Sequence, residues 1–311
     1  MEQQPKTIVR ASWVGVAGNA ILSLLKIIVG IISGSLAVIA DGIDSASDIV
    51  TSLITLFTAR IMMRPPSIRY PYGYMKADTV ATKALAFVIL FAGAQLAIST
   101  VRHFLQGVER DLPGMLAIYV TVISILGKFL LARHQLRKGK QTNSEMLKAN
   151  ARNMQNDILI SVSVLTGLAC TFLLKMPVLD SVTALLVSIW ILKVGFQIFM
   201  QTNRDLMDAT TDPSLYQHVF RAVGRVEGAT NPHRVRIRKI GNYYMIALDL
   251  EVDQKISIRD AHEICLDVEN KIREDIEHVF DVMIHIEPAG YMHKEEEYGV
   301  SPGDVTDQQS H

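Results

Sequence analysis

The sequence predicts a two-part membrane protein: a bundle of six transmembrane helices, followed by a small ferredoxin-like α+β domain with elements in the order αββαβ. With 49% hydrophobic residues over 311 positions and a mean hydropathy of +0.24, the chain is too apolar for a soluble protein of this size. The long apolar runs lie between about residues 11 and 205, and the remainder has the polarity of a soluble domain. We therefore expect a transmembrane domain over 1–208, a cytosolic domain over 209–290 and a flexible tail over 291–311.

Six apolar segments reach the roughly 20 residues that a helix needs to cross the hydrocarbon core. They cover about 11–33, 36–61, 80–107, 113–134, 150–174 and 178–200. Segments one and two are joined only by Ser33-Gly34-Ser35, and segments five and six only by Lys175-Met176-Pro177. Each of these two pairs is therefore expected to form a tight helical hairpin.

Basic residues are concentrated in the second-to-third and fourth-to-fifth connections and before the first segment. Because the Lys and Arg residues of short loops stay on the cytoplasmic side, both connections and both termini are predicted to be cytoplasmic. The polar N-terminus lacks the pattern of a signal peptide, so the first apolar segment is expected to be a retained helix. We expect an integral protein of a prokaryotic inner or plasma membrane, surrounded by the lipid bilayer.

Beyond about residue 205 the hydrophobic pattern becomes that of a soluble α+β domain. Alternating side chains in VRIRKI and YYMIALDLEV indicate two strands, and the Gly241-Asn242 turn between them indicates a hairpin. The predicted elements are a helix at Pro213 to Val226, strands at His233 to Ile240 and Tyr243 to Val252, a helix at Ile258 to Ile276 and a strand at Val279 to Glu287. This order predicts one sheet with helices on one face.

The stretch from Ala40 to Thr51 places three carboxylates, Asp41, Asp44 and Asp48, inside the second apolar segment. Offsets of three and four residues fall on one helix face, so the three acids form one stripe. Asp44 is predicted to lie about 14 Å from the outer turn, near the middle of the membrane. A carboxylate at this depth costs several kcal/mol unless it is paired, binds a cation or faces water, so the stripe indicates a cation site.

The fifth segment offers a matching pair, because Asn153 and Asp157 are also four residues apart. Two helices that each present such an oxygen pair can surround a hard divalent cation with four ligands. The alternative is that these polar groups pair with one another across the helices. Neither helix carries a Lys or Arg at this depth, so we favour the ion site. For Asp41 two interpretations stay open, an outer ligand or, as we favour, a supporting residue that can pair with Lys26.

Several ordered motifs resemble those of one protein family. They are SGSLAVIADGIDSASD in the second segment, YPYGYMKAD in the following loop, NMQND in the fifth segment and the αββαβ domain. From about Ala11 to Glu287, the chain resembles the cation diffusion facilitator, or cation efflux, family. The resemblance implies a homodimeric antiporter that moves divalent transition metals out of the cytoplasm in exchange for protons. The family's transport site then corresponds to Asp44, Asp48, Asn153 and Asp157.

A departure from the family pattern indicates the metal. Zinc transporters of the family usually carry His at one or both of the positions that are Asp44 and Asn153 here. Imidazole suits zinc, whereas carboxylate and carbonyl oxygens suit Mn²⁺ and other hard ions. The chain thus resembles the manganese-type members, and we expect Mn²⁺ as the substrate, with Fe²⁺ as the first alternative and Zn²⁺, Cd²⁺ or Co²⁺ as the next.

The resemblance also implies a regulatory divalent-metal site at the dimer interface of the cytosolic domain. The candidate ligands in family positions are His233, Asp249, His262, His285 and Glu287. His285 and Glu287 are two residues apart on a predicted strand, so they face the same side of the sheet.

Lys76, in the loop after the second segment, matches a lysine that the family can pair with an acid after the sixth helix. Asp208 stands at the corresponding position of this sequence. A lysine exposed to solvent or to lipid headgroups is the alternative interpretation of the same residue.

Other classes of function have weaker support in the sequence. The net charge is zero, with 31 basic and 31 acidic residues, and the basic run at 234–238 has no interleaved aromatic residues, so we expect no nucleic-acid partner. No nucleophile arrangement, HExxH motif or phosphate-binding glycine loop is present, which argues against an enzyme or a bound cofactor. The two cysteines, Cys170 and Cys265, predict neither a disulfide framework nor a zinc site. A membrane-bound metal sensor without transport is the alternative from another class.

Overall fold

The computed structural model describes residues 3–105, 112–141, 145–210, 212–241, 243–290 and 298–307. The chain divides into two compact units, one formed by residues 1–63 and 80–200 and the other by residues 64–79 and 201–311. The loop between the second and third helices therefore belongs to the same unit as the C-terminal domain.

Six long helices confirm the predicted membrane bundle. They are α1 (Gln3–Ser33), α2 (Leu36–Met62), α3 (Ala77–Leu105), α4 (Leu116–Gln141), α5 (Glu145–Leu174) and α6 (Val178–Leu206). At the ends that the tight turns join, the bounds follow the predicted segments closely. At the opposite ends, α1, α4, α5 and α6 continue beyond the apolar runs, because a helix can extend through polar residues once it leaves the hydrocarbon region.

Of the described helices, α1 and α3 to α6 are long and apolar enough to cross a membrane, by length and composition. The helix α2 is 27 residues long and carries three aspartates in its first half. Large apolar side chains such as Ile31, Phe91 and Leu130 are about two-thirds exposed on the bundle surface. Such a surface is what lipid covers in a membrane-spanning helical protein.

The start of α2 is fixed by the α1–α2 turn and by an acid from α6. Gly34 has φ +69°, a left-handed conformation that favours glycine. The Asp180 carboxylate accepts hydrogen bonds from the Ser35 hydroxyl at 2.6 Å and from the Leu36 backbone N–H at 2.8 Å. A carboxylate at a helix N-terminus satisfies free N–H groups and opposes the positive end of the helix dipole. These contacts set the position of the acid stripe of α2 within the bundle.

Glycines let α1 and α2 approach closely. A Cβ on Gly42 would lie 2.7 Å from Ile27 Cγ1, and one on Gly30 would lie 2.8 Å from Ile39 Cγ1. The Ser23 hydroxyl of α1 donates a hydrogen bond of 2.9 Å to the Gly42 carbonyl. The helix α1 therefore packs directly against the part of α2 that carries the aspartates.

The buried faces of α4 and α5 are polar over part of their length. Besides small and apolar residues, α4 buries Thr121, Ser124, Lys128 and Gln135. The buried face of α5 includes Asp157 and Ser161. An apolar cluster that includes Val38 and Leu168 fills the end of the bundle near the tight turns. The polar part of the interior therefore lies farther from the tight turns than this apolar cluster, at the level of the aspartates of α2.

The second unit confirms the predicted αββαβ domain. Its elements are α7 (Ser214–Val223), β1 (Thr230–Ile240), β2 (Tyr243–Val252), α8 (Ile258–Asp275), β3 (Val279–Pro288) and a short α9 (Pro302–Asp307). The sheet has the order β1-β2-β3, with β1 antiparallel and β3 parallel to β2. Helix residues such as Val219, Val268 and Ile272 share one buried core with Ile246 and Leu248 of the central strand.

The strand β1 is irregular around His233. Its pairing with β2 shifts register on both sides of this residue, and Asn231 and Arg234 have φ values of +45° and +49°. Bulges of this kind redirect the side chains of a strand. His233 is consequently only 6% exposed and lies opposite Asp249 of β2.

A segment near the C-terminus packs on β1. Two backbone hydrogen bonds of 3.0 Å join Val300 to Val235, and the Arg234 guanidinium lies 4.7 Å from the centre of the Tyr298 ring. The predicted flexible tail therefore contains an ordered segment at 298–307. The remainder of that tail, residues 291–297 and 308–311, lies outside the described residues.

Candidate metal centres

The residue pairs of α2 and α5 approach each other, with Asn153 on the exposed side and Asp157 buried. Asn153 Nδ2 donates to Asp48 Oδ1 at 3.4 Å. Asp48 also lies within hydrogen-bonding reach of the Asp157 carboxyl, and Asp44 is close enough to interact electrostatically with both acids. Asp157 is 6% exposed, and Asp44 and Asp48 are half-buried. The fold thus brings all four predicted residues of this centre together.

The three carboxylates of this centre do not form a closed cage. Among the described His, Cys, Asp and Glu residues, the group with ligand atoms all within 4.8 Å of one another is a different one, in the cytosolic domain. One of the three, Asp157, also contacts a basic side chain.

Asp41 forms a buried ion pair with Lys26 of α1. Lys26 Nζ lies 2.7 Å from Asp41 Oδ2, and the side chains are 0% and 1% exposed. The Ser161 hydroxyl donates to Asp41 Oδ1 at 3.0 Å and accepts from Lys26 Nζ at 2.9 Å. The pairing of Asp41 with Lys26 is thereby confirmed.

A second buried lysine, Lys128 of α4, was not among the predicted site residues. Its Nζ lies 3.0 Å from Asp157 Oδ2 and donates to Ser45 Oγ at 2.9 Å. Ser45 Oγ is also 3.4 Å from Lys26 Nζ, so one hydroxyl links the two ion pairs. The absence of Lys and Arg from α2 and α5 at this depth does not exclude a basic partner for Asp157, because this one comes from a third helix. The available signal was a lysine in the middle of a predicted membrane segment.

A polar cavity of about 360 Å³ lies beside the acids, between α1, α2, α4 and α5. Asp48 and Asn153 form part of its wall, together with Asn19 and Gln135. Among the described residues, Asn19 Oδ1 and Gln135 Oε1 have no hydrogen-bond partner. Because a water molecule takes about 30 Å³ in the liquid, this space can hold several waters or a hydrated cation next to Asp48.

Gln135 occupies its place in the cavity wall because α1 has a glycine opposite. A Cβ on Gly15 would lie 2.0 Å from Gln135 Nε2. That nitrogen donates to the Ala11 carbonyl at 3.0 Å, and the side chain is 1% exposed. The hydrogen bond fixes the amide group, whose oxygen is an acceptor.

A second centre lies in the cytosolic domain, where His233, Asp249 and Glu287 bring their ligand atoms within 4.8 Å of one another. His233 Nδ1 is 2.7 Å from the Asn231 carbonyl, and its Nε2 is 3.2 Å from Glu287 Oε2. A carbonyl partner favours a proton on Nδ1, which leaves Nε2 as the metal-binding nitrogen. A proton or a metal cation between Nε2 and the carboxylate stabilises this arrangement.

The remaining predicted ligands of the cytosolic centre differ in their positions. His285 Nε2 lies 3.5 Å from Glu287 Oε1, with a side chain that is 66% exposed, so it borders the centre. His262 is exposed on α8 and belongs to no such group in the described part of the chain. The Asp249 carboxylate forms ion pairs with Arg234 at 2.9 Å and with Arg236 at 3.3 Å.

The pairing of Lys76 with Asp208 is confirmed. Lys76 Nζ lies 2.6 Å from Asp208 Oδ1, and both side chains are a little more than one-third exposed. Both residues belong to the second unit, so this ion pair connects the loop at 64–79 with the segment that follows α6.

The fold and the two centres define a class of protein. Its members combine a membrane bundle that has acidic residues in its interior with a small α+β domain that carries a group of potential metal ligands. The family model of the cation efflux transmembrane domain matches residues 12–207. The model of the cytoplasmic domain of cation efflux proteins matches residues 211–289. The chain belongs to the cation efflux family, and is therefore an integral membrane protein of a transporter family rather than an enzyme family.

Relatives of this chain include proteins with assigned roles. The manganese efflux system protein MneP of Bacillus subtilis is 25% identical over 285 residues, which cover 90% of this chain and 95% of that protein. The magnetosome protein MamB of Paramagnetospirillum magneticum is 25% identical over 277 residues, which cover 89% and 93%. The metal-bound C-terminal domain of the CzcD transporter from Thermotoga maritima is 39% identical over 26% of this chain and 93% of that chain, with a TM-score of 0.25.

Proposed function

We propose that this protein exports Mn²⁺ from the cytoplasm in exchange for protons, through a site formed by Asp44, Asp48, Asn153 and Asp157. The observation that carries the proposal is the meeting of the α2 and α5 pairs, in which Asp48 contacts Asn153 and reaches Asp157. The Asn153 amide can turn its oxygen toward a cation, which completes a set of oxygen donors. The cavity beside Asp48 gives a hydrated cation a place from which to enter the site.

The choice of Mn²⁺ follows from the donor atoms. The four proposed ligands include no histidine and no cysteine, and oxygen donors suit Mn²⁺ better than Zn²⁺. The relationship to a manganese efflux system protein supports the same choice. Export of Fe²⁺ is the first alternative, and export of Zn²⁺, Cd²⁺ or Co²⁺ is the next.

Proton coupling follows from the chemistry of the ligands. Metal binding requires deprotonated carboxylates, so loading releases protons and protonation releases the metal. A proton-rich outer compartment therefore favours unloading there. Protonated carboxyl groups are less costly in the membrane interior, which eases the return of the empty site. The basic connections support a cytoplasmic position for both termini.

The cytosolic domain has a regulatory role in this proposal. We expect it to hold two protomers together as a homodimer and to bind a divalent metal at His233, Asp249 and Glu287, with His285 beside them. Metal at this centre would favour the conformations that export. A metal sensor without flux is the rival function, and the cytosolic cluster alone is compatible with it.

Flux measurements on the full-length protein in proteoliposomes test the proposed function. With Mn²⁺ on one side and an opposing pH gradient, the wild-type protein should transport Mn²⁺ and move protons in return. Asp48→Ala and Asp157→Ala should each lower the initial rate at least about 100-fold, the equivalent of about 2.7 kcal/mol. Asn156→Ala, a neighbouring exposed amide of α5, is the matched control and should retain the rate. Absence of wild-type flux would exclude the transporter, and unchanged flux in either aspartate variant would exclude the site.

A further inference from the structure

We infer that Lys128 is a tethered cation that competes with the transported metal for Asp157 and thereby sets both the affinity of the site and the release of its cargo. This inference rests on the proposed transport site and adds a residue from α4 that the pairs of α2 and α5 do not include.

Lys128 contacts Asp157, one of the proposed metal ligands, directly. Lys128 Nζ is 3.0 Å from Asp157 Oδ2, and the two side chains are 1% and 8% exposed. A hydrogen bond between two charged groups is among the stronger ones, and burial strengthens it further. A metal that takes Asp157 as a ligand must displace this ammonium from the carboxylate, or share the carboxylate with it.

Lys128 also changes the net charge of the proposed transport site. Asp41 is already neutralised by Lys26, and in the described part of the chain neither Asp44 nor Asp48 has an ion-pair partner. Asp44, Asp48 and Asp157 therefore carry a charge of −3 when ionised, which Lys128 reduces to −2. One divalent cation cancels that charge, and a neutral sum is favoured where the dielectric constant is low. Lys128 thus adapts a site with three acids to a divalent ion.

The ammonium has other acceptors once the metal arrives. Ser45 Oγ is already 2.9 Å from Lys128 Nζ. Ser124 lies one turn before Lys128 on the same face of α4, and its buried hydroxyl has no hydrogen-bond partner among the described residues. Helical side chains lean toward the N-terminus, so the lysine stem points toward that turn. The lysine can therefore leave Asp157 and stay hydrogen-bonded inside the bundle.

A purely structural ion pair between α4 and α5 gives a different result when it is removed. A structural defect weakens the site and raises the KM for metal. Removal of a competitor lowers the KM, because the metal no longer has to displace an ammonium. The same removal lowers kcat, because a site with an excess of negative charge releases its cargo slowly. The direction of the change in KM therefore separates the two interpretations.

The test uses initial rates of Mn²⁺ transport by the full-length protein in proteoliposomes. Lys128→Met should lower KM about tenfold and lower kcat by a similar factor, as expected for the loss of a charge-assisted hydrogen bond to the ligand. Ser45→Ala should raise KM, because it leaves the ammonium with Asp157 as its nearest acceptor. Lys193→Met, at an exposed position of α6, is the control for the Lys to Met exchange and should change neither constant.

A KM for Lys128→Met that is unchanged or raised, with wild-type flux intact, overturns the inference. If Lys128→Met does not fold, Ser45→Ala decides, and a KM that is unchanged or lowered in this variant overturns the inference as well. Absence of Mn²⁺ flux in the wild-type protein would instead be a failure of the proposed function.

Discussion

In both the membrane centre and the cytosolic centre, an aspartate that is a candidate metal ligand contacts a basic side chain. The basic residue is a lysine in the first centre and arginine in the second. In the membrane, Asp157 contacts Lys128, which comes from another helix. In the cytosolic domain, Asp249 contacts Arg234 and Arg236 of the adjacent strand. Lysine carries a compact charge on a flexible stem, whereas the planar guanidinium of arginine has a fixed set of donors.

This difference matches the use that we propose for each centre. A transport site must exchange its cation in every cycle, and a flexible lysine can move away from a carboxylate and return. A regulatory site gains from a fixed geometry, and the Arg234 guanidinium is held further by the ring of Tyr298, 4.7 Å away. Similar acidic ligands can therefore serve transport when their basic partner is mobile, and regulation when their basic partner is held in place.

The largest effect should come from breaking a buried ion pair of the membrane unit. Lys26→Met leaves the Asp41 carboxylate buried without its cation, which should lower the free energy of unfolding by about 3–5 kcal/mol. Lys76→Met breaks a pair that is more than one-third exposed, and it should cost only about 0–1 kcal/mol. Denaturant titrations of the purified variants in the same detergent compare the free energies of unfolding of Lys26→Met and Lys76→Met.

The double variant Lys26→Met/Asp41→Asn serves as the control for this comparison. Because it removes the uncompensated charge, it should regain most of the stability that the single variant loses. Equal losses for Lys26→Met and Lys76→Met would mean that burial does not distinguish the two ion pairs.

The smallest effect should come from the cytosolic centre. Asp249→Asn should raise the cytosolic Mn²⁺ concentration for half-maximal activation about fivefold, at the low end of allosteric couplings, and leave the maximal flux unchanged. Flux at varied internal Mn²⁺ in proteoliposomes measures both quantities. His278→Asn, at an exposed histidine outside the predicted ligand set, is the control and should change neither. A collapse of the maximal flux in Asp249→Asn would show that the two centres are not separate in function.

The positions of the α2 and α5 ligands could be predicted from the sequence because helix geometry determines them. Residues four apart share a face, so Asp44 with Asp48, and Asn153 with Asp157, must point the same way. The contact of Lys128 with Asp157 could not be predicted in this way. A lysine within a membrane helix indicates which face of α4 points inward, but it does not show which of the neighbouring acids the lysine contacts.

The cytosolic centre was less predictable for a different reason. Arg234 belongs to an alternating pattern that indicates a solvent-facing side chain, but in the structure it forms an ion pair with the buried Asp249, next to a register shift of β1. Pro232, directly before His233, signals an irregular strand, but it does not show which partner the Arg234 side chain reaches. The pairing of Val300 with Val235 was also missed, because a short apolar contact within a polar tail gives no periodic pattern.

The central claim, that an oxygen-only centre favours Mn²⁺ over zinc, is tested most directly by metal competition. Initial rates of Mn²⁺, Fe²⁺ and Zn²⁺ transport would be measured in the same proteoliposomes, for the wild-type protein and for Asn153→His. The wild-type protein should prefer Mn²⁺, and Asn153→His should raise the ratio of zinc to manganese flux roughly tenfold, or about 1.4 kcal/mol, because imidazole adds a nitrogen donor. A wild-type protein that already prefers zinc, with a ratio that Asn153→His leaves unchanged, would contradict the claim.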